Sequence, residues 1–503
     1  MSLLAIDMGS RSCKAVAFSE GGSALAHATY SYSPSLPRPL WAEMEAEKFW
    51  QAFQTITRAI TTEVTKDPVE VLAISSHGET FIPVDSQQHS VAPAILNVDN
   101  RAVAEANWLG DTLGRRRFFE ITGLAVHPMY PLPKILWLRL HKPDVFSSVV
   151  RFLALPDYLL TRLGLPAYID YSLASRFLAF DIRRRIWSEE ILSACELTPE
   201  QFPLPVPAGT VVGTLAAKIA LELGLRSGTP VVVGGHDQPC GALGCGVLEP
   251  GRVSASLGTY ECLVVASTSP ATIDHALPAN LNSYCHLVPE RYVTLAYFPS
   301  GIMIEWFLRL IYSAGEVACP TSIGEQCAAL EELADTGPTG LCITPHLLGT
   351  CNPDFDPCAT GVIAGIRPAT NRSNLYKGIL EGIACEFAST TEFLRPEAAS
   401  MEIYAHGGGG RSRLGMKLRA ALANCPVHLM QCPEAVCLGT AILSGVAIGK
   451  YQSFAEAVEQ VVRVAETIAP DPALAESYKA QVEQYRILYS SLAPLRRAQG
   501  ICN

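Results

Sequence analysis

The chain has 503 residues, with 38 Lys and Arg against 48 Asp and Glu, for a net charge of −10. That acidic balance excludes a general nucleic-acid role but still allows local binding of one anionic ligand. With 49% hydrophobic and only 17% charged residues, the chain is too apolar for disorder and too long for one core, so two sizeable domains are expected.

The first twenty residues set the pattern. Leu3, Leu4 and Ile6 form a short apolar run that predicts a core strand, and Asp7 ends it. Gly9 and Ser10 follow as a tight turn, and Ala15 to Phe18 read as the returning strand of a hairpin. An acid at a strand end, beside backbone N–H groups and hydroxyls, can hold a phosphate and its divalent cation. A strand ending in Asp-x-Gly is common, so the signal gains weight only from counterparts later in the chain. The N-terminus has no basic region or signal-like apolar segment, and no apolar stretch of membrane-spanning length stands out. The expectation is therefore a cytoplasmic protein.

Residues 3 to 33 predict three strands, with Glu20-Gly21-Gly22 as a hairpin turn. Residues 44 to 62 have helical periodicity, with Phe49, Phe53, Ile56 and Ile60 on one face. Val69 to Ser75 reads as a strand followed by the turn SSHGE, and Phe81 to Val84 as a short strand. Val91 to Arg101 reads as a strand running into polar residues, and 101 to 113 as a helix. Further helices are expected at Leu132 to Leu140, Pro156 to Leu163 and Arg185 to Cys195. The Pro-rich run LTPEQFPLPVPAGTVVG is a connector and not a helix. A helix at Ala216 to Leu223 precedes a strongly apolar strand, Pro230 to Gly234, which runs into GHDQPCGALGCGV.

A second domain is expected from residue 247, dividing the chain into 1–246 and 247–503. Its opening, GRVSASLGTYECLVVAS, faintly repeats the N-terminal strand, turn and strand. Ser256-Leu257-Gly258-Thr259 stands where Asp7-Met8-Gly9-Ser10 stood. Beyond it come a helix around Gly301 to Leu310, a loop from Gly349 to Pro357 and a long helix around Leu375 to Phe393. A strand then ends in AHGGGGRS, where four glycines let the backbone approach a ligand closely, and helices follow. The 16 cysteines lack the paired spacing of a zinc or iron–sulfur site and read as reduced thiols, with Cys240 and Cys245 as buried fillers.

Taken in order, these segments resemble the FGGY carbohydrate kinase family over nearly the whole chain. The matching segments are DMGSRS, SSHGETFIPVD, PAILNVDNR, GGHDQPCGALG, SLGTYE, AHGGGGRS and CPEAVCLGTAILSG. The resemblance implies an α/β fold of two ribonuclease-H-like domains, of the actin and hexokinase type, flanking a central cleft. It implies ATP-dependent phosphorylation of a sugar hydroxyl with Mg²⁺. Asp237 is implied as the catalytic base, and Asp7, with Asp237, as the metal-binding pair. Gly9, Ser10, Gly258 and Thr259 are implied at the phosphates, and Gly408, Gly409, Gly410 and Glu434 at the adenosine. His77, Glu79, Asn97, Asp99 and Arg101 are the implied sugar contacts, with Trp41 and Glu43 reaching the same cleft.

Three departures from the family pattern bear on the substrate and regulation. Gly78-Glu79 replaces the Met-His usual in xylulose kinases, and Glu79 falls where glycerol kinases carry a substrate acid. Asn97 replaces the usual Trp. The Gly349 to Pro357 loop lacks the Arg and Glu of the family's GERTP form. A ketopentose such as xylulose is the expected acceptor, with glycerol, a tetritol or a deoxyketose such as fuculose as alternatives. A nucleotide-dependent sensor or binding protein is the non-enzyme alternative. The partner is a small sugar or polyol, with neither nucleic acid nor membrane, and the resemblance admits a homodimer.

Overall fold

The computed structural model describes residues 1–312, 322–334, 337–356, 358–397 and 401–494. Two mixed sheets organise it. The first is built from β1 (Ser2–Met8), β2 (Ser12–Ser19), β3 (Ala24–Ser31), β4 (Val69–Ser76), β5 (Val211–Thr214) and β6 (Pro230–His236), in the spatial order β5-β6-β4-β1-β2-β3. The second is built from β7 (Arg252–Leu257), β8 (Tyr260–Ser267), β9 (Asn282–Cys285), β10 (Tyr292–Pro299), β11 (Glu402–His406), β12 (Val427–Met430) and β13 (Val464–Ile468), in the order β9-β10-β8-β7-β11-β12-β13.

The two sheets share a plan. In each, the opening strand pairs antiparallel with the next strand and parallel with a strand that arrives after a helical excursion. Asp7 is the second-last residue of β1 and Ser256 of β7, so the faint sequence repeat reflects a repeated topology.

Helices cover the sheets. Helix α1 (Ala46–Glu63) buries Phe49, Phe53, Ile56 and Ile60 against Leu4, Ile6, Leu72 and Ile74 of the first sheet. Helix α2 (Asp237–Gly244) starts where β6 ends. Helix α3 (Arg372–Leu394) packs on the second sheet, as does α4 (Arg413–Ala423). Helix α5 (Ala435–Ala447), from the second half of the chain, covers the other face of the first sheet at Leu3, Ala5, Val71 and Ala73. Conversely, the 81–202 region of the first half shares a core with Val264, Ala266, Tyr284 and Leu295 of the second sheet. The halves therefore interlock, each sheet borrowing a cover from the other half of the chain.

One very close junction is the crossing of α2 and α5. A Cβ at Gly439 would stand 1.8 Å from the Cys240 carbonyl oxygen, and one at Gly244 would stand 1.9 Å from that of Ala435. Only bare backbone fits there. Gly439→Ala should therefore cost about 1–3 kcal/mol, the usual range for overpacking, read as a lower midpoint in urea unfolding; an unchanged midpoint would mean that the crossing is loose.

Several expected boundaries move. The strand expected over 91–101 shrinks to Ala94–Ile95, because the chain turns where Asp99 N–H bonds the Leu96 carbonyl. The helix expected over 101–113 is Val103–Leu109, continued by a wider π turn over Gly110–Gly114. Arg185 to Cys195 splits into a strand, Ile186–Trp187, and a helix, Glu189–Ala194, whose start is capped by the Ser188 hydroxyl accepting from Ile191 N–H. The Pro-rich connector holds short strands at Leu204–Val206 and Val211–Thr214. Cys240 and Cys245 are buried free thiols, whereas Cys358 is disulfide-bonded. Among the described residues no helix is long and apolar enough to cross a membrane.

Candidate active site

Strand parity puts Asp7 in the cleft. Leu4, Ile6 and Met8 point towards α1, so Leu3, Ala5 and Asp7 point the other way, towards α5. Asp7 stands in register with Lys14 on β2 and Ser75 on β4, and the Ser75 hydroxyl donates to Asp7 Oδ1 at 3.4 Å. Burial pushes the Asp7 carboxyl up to about 7; the nearby Glu434 charge reinforces this and Lys14 opposes it. Lys14 Nζ is 2.7 Å from Glu434 Oε2, an ion pair joining the first hairpin to the start of α5.

Asp237 opens α2 directly after β6, which carries it to the cleft mouth. Its side chain is 21% exposed, and Oδ1 lies 3.2 Å from His236 Nε2. That oxygen is nonetheless buried and accepts no hydrogen bond. Burial drives the Asp237 carboxyl well above its usual range, and the negative charges of Asp7 and Glu79 drive it further. His236 is held neutral by burial, with the Arg176 charge adding to the effect, and its Nδ1 meets the Tyr284 hydroxyl at 2.9 Å. Three carboxylates thus lie near enough for the charges of Asp7 and Glu79 to act on Asp237, which suits a proton acceptor.

The third carboxylate is Glu79. Its backbone sits at φ 60°, in the left-handed region, and its Oε1 accepts from Arg176 Nε at 2.5 Å. Arg176 Nη1 also donates to Asn282 Oδ1 at 3.1 Å, which accepts from the Tyr130 hydroxyl at 2.7 Å. The guanidinium lies 4.8 Å from the ring centre of Tyr284 and 5.3 Å from that of Tyr130. Sequence reading found none of Arg176, Tyr130, Asn282 or Tyr284. They are spread along the chain, with Asn282 and Tyr284 together on β9, and none stands in a motif.

The remaining sugar candidates divide. Asn97 keeps its side-chain oxygen buried without a partner, while its N–H donates to the Thr80 hydroxyl at 3.0 Å. His77 has both ring nitrogens engaged, with the Met8 carbonyl and the Thr80 hydroxyl, each at 2.7 Å. Asp99 is fully buried: it accepts from Ala42 N–H at 2.6 Å and takes a forked contact from Arg101. Arg101 also pairs with Glu43 at 2.8 Å and lies flat on Trp41, 3.8 Å from the ring centre. His77, Asp99 and Arg101 therefore spend their polar atoms inside the protein, fastening the segments that carry Glu79 and Asn97. Lys134, another residue unmarked in the sequence, does the same: its fully buried ammonium donates to the Leu96 carbonyl at 2.7 Å and the Glu79 carbonyl at 3.3 Å.

On the other wall, Gly258 and Thr259 form the turn between β7 and β8. The Thr259 carbonyl accepts from Ser300 N–H at 3.1 Å. Just beyond the turn, the buried Glu261 accepts from the Ser300 hydroxyl at 2.5 Å and from Arg419 Nε at 3.0 Å. This ties the turn to α4. Gly9 N–H closes the matching turn of the first half on the Ser12 carbonyl at 3.0 Å, beside Ser10. Gly408, Gly409 and Gly410 lie in a 3₁₀ turn over Gly408–Arg411, between β11 and α4, and a Cβ at Gly408 would meet nothing within 4 Å. The Gly349 loop crosses towards the first half: Phe355 packs edge-on to Tyr297 at 5.5 Å and to His127 at 5.6 Å. Its last residue, Pro357, lies outside the described residues.

Comparison with known proteins fits this geometry. The model of the FGGY family of carbohydrate kinases, N-terminal domain, matches residues 2–244, and that of its C-terminal domain matches 253–448. The chain is 28% identical to the xylulose kinase of Escherichia coli K12 over 98% of its own length and 99% of that protein. It is 26% identical to the gluconokinase of Bacillus subtilis 168 over 92% and 90%, respectively. The fold superposes on a ligand-bound xylulose kinase from Lactobacillus acidophilus with a TM-score of 0.88 at 21% identity, covering 98% of each chain.

Proposed function

The chain belongs to the FGGY family of carbohydrate kinases, and from that premise we propose that it transfers the terminal phosphoryl group of ATP to a hydroxyl of a ketopentose such as xylulose. The observation that carries the reading is the placement of Asp7 near the end of β1 and of Asp237 directly after β6, close enough for the Asp7 charge to act on Asp237. Near full-length similarity to a xylulose kinase favours the ketopentose.

In this reading Asp237 Oδ1, buried and without a donor, takes the proton of the attacking hydroxyl. Its raised proton affinity suits that task, since a general base works best when poised near the operating pH. Glu79, Arg176 and Asn97 contact the sugar, while His77, Asp99, Arg101 and Lys134 hold those groups in place. The Gly9 and Gly258 N–H groups close their turns on the Ser12 and Tyr260 carbonyls, which leaves the N–H and hydroxyl groups of Ser10 and Thr259 for the phosphates, and Gly408 to Gly410 lie along the adenosine. Glu434, paired with Lys14, sits at the phosphate end of that path. Residues 1–246 thus carry the sugar and the base, and 247–503 the nucleotide.

Asp7 and Asp237 also fit Mg²⁺. They are hard oxygen donors, and a divalent cation would offset the burial that raises both proton affinities and the neighbouring negative charges that add to it. Among the described residues no group of three or more His, Cys, Asp or Glu side chains could by itself hold a metal ion. When bound it supplies charge neutralisation on the transferring phosphoryl group. A cytoplasmic location, where ATP is available, belongs to the same proposal.

Glu79 favours a second reading, a kinase of glycerol, a tetritol or a deoxyketose such as fuculose. One assay separates the readings: ADP release from Mg²⁺-ATP across ketopentoses, deoxyketoses and polyols. The expected result is release that depends on one ketopentose. Release indifferent to every sugar would contradict a kinase and favour a nucleotide-dependent binding protein.

A further inference from the structure

We infer that the Glu79–Arg176 pair makes the acceptor pocket select uncharged polyhydroxy compounds and reject aldonates of the same chain length, and that Gly78 is what allows the pair to form. The inference rests on the kinase reading above and sharpens its substrate class, because the family relatives include both a xylulose kinase and a gluconokinase.

The geometry of Gly78 comes first. A Cβ at residue 78 would stand 2.9 Å from Arg176 Cγ and 3.1 Å from the His236 ring. A side chain there would crowd the Arg176 stem and the His236 ring, and one or both would have to shift. The bare backbone leaves a slot, and Arg176 fills it from a segment 97 residues further on. A guanidinium is thereby delivered to the acceptor pocket, where its charge could in principle recognise a carboxylate.

That charge is already taken. Glu79 accepts from Nε, Asn282 accepts from Nη1, and the rings of Tyr284 and Tyr130 flank the guanidinium plane. The other buried cation, Lys134, turns its ammonium onto two backbone carbonyls behind Glu79. What faces the acceptor is a neutralised arginine together with the carboxyl groups that end β1 and open α2, Asp7 and Asp237. An aldonate would bring a further negative charge into this group with no free cation among these residues to meet it. A hydroxyl makes no such demand. It can donate to Glu79 or to the unpartnered Asn97 oxygen and accept from the remaining Arg176 N–H groups. Selection of this kind works by repulsion of the wrong ligand more than by extra attraction for the right one.

The test compares the KM of the accepted ketopentose with the inhibition constant of D-xylonate, an aldonate of the same five-carbon length, against that sugar. Xylonate should bind at least ~100-fold more weakly, since like charges brought together at a binding site cost several kcal/mol. In Glu79→Gln, Arg176 carries an unneutralised charge, and the ratio should narrow by at least ~10-fold, the effect of one desolvated charge contact. Xylonate binding within ~3-fold of the sugar in the wild-type chain, well inside the repulsion expected, would overturn the inference. So would a Glu79→Gln chain that weakens both ligands equally. The wild-type ratio decides the matter by itself if the variant does not fold. Failure of every sugar to release ADP would instead overturn the kinase reading beneath it.

Discussion

Asp237→Asn is expected to lower turnover at least about a hundredfold, the scale of an essential acid–base group, with little change in the KM of the sugar. The substitution keeps shape and volume but removes the negative charge, and with it the ability to take a proton and to serve as an anionic ligand. Oδ1 is the atom concerned: it is buried, 3.2 Å from a His236 ring that burial keeps neutral, and it accepts no hydrogen bond. A buried acceptor left open in this way is costly unless a ligand completes it. The split between turnover and KM separates this role from a structural one, because loss of a packing residue would weaken sugar binding and lower the melting temperature as well. Measured turnover within a factor of ~3 of wild type, far below the usual effect of losing a base, would remove Asp237 from the chemistry.

Arg419→Met carries the largest expected effect on stability, a loss of about 3–5 kcal/mol, because it strips the partner from a buried carboxylate. Glu261 is 1% exposed and Arg419 3%. They are joined by two contacts, from Nε and Nη2 to the two carboxylate oxygens. Glu261 also takes the Ser300 hydroxyl, and Ser300 N–H supports the Thr259 carbonyl. The pair therefore holds the phosphate turn to the helix that follows the glycine run. Urea unfolding should show the lost stability. The surviving folded fraction should show a higher KM for ATP with the KM for sugar unchanged. An unaltered unfolding midpoint would show that the pair adds nothing net. Replacing both residues together, Glu261→Gln with Arg419→Met, should recover much of the loss, since no charge is then left alone in the interior.

The parts of the site that were legible in the sequence are those that lie at strand ends. Asp7 and Asp237 each terminate an apolar run, and a strand end opens to the cleft, so position along the element was enough. The turns at Gly9 and Gly258 were readable for the same reason, and the repeat between them matches the repeated topology. His77, Asp99 and Arg101 read as sugar contacts because their polar groups are visible in sequence while the partners are not. The structure gives Asp99 the Ala42 N–H and Arg101 as partners, and His77 the Met8 carbonyl and Thr80. Arg176 and Asn282 escaped notice because their places depend on long-range packing, 97 and 106 residues from their contacts. Gly78 appeared only as a departure from a family pattern, yet its missing side chain admits Arg176. Fold class follows from periodicity and turn chemistry, which are local. Partner identity follows from tertiary packing, which is not.

The measurement that bears most directly on the central claim is a crystal structure of the Asp237→Asn chain with the accepted sugar and a non-hydrolysable ATP analogue. The account predicts one sugar hydroxyl within hydrogen-bond reach of residue 237, on the side facing Asp7, with the terminal phosphate between that hydroxyl and the Gly258-Thr259 turn. A sugar bound elsewhere, or a nucleotide whose phosphates point away from Asp7, would contradict it.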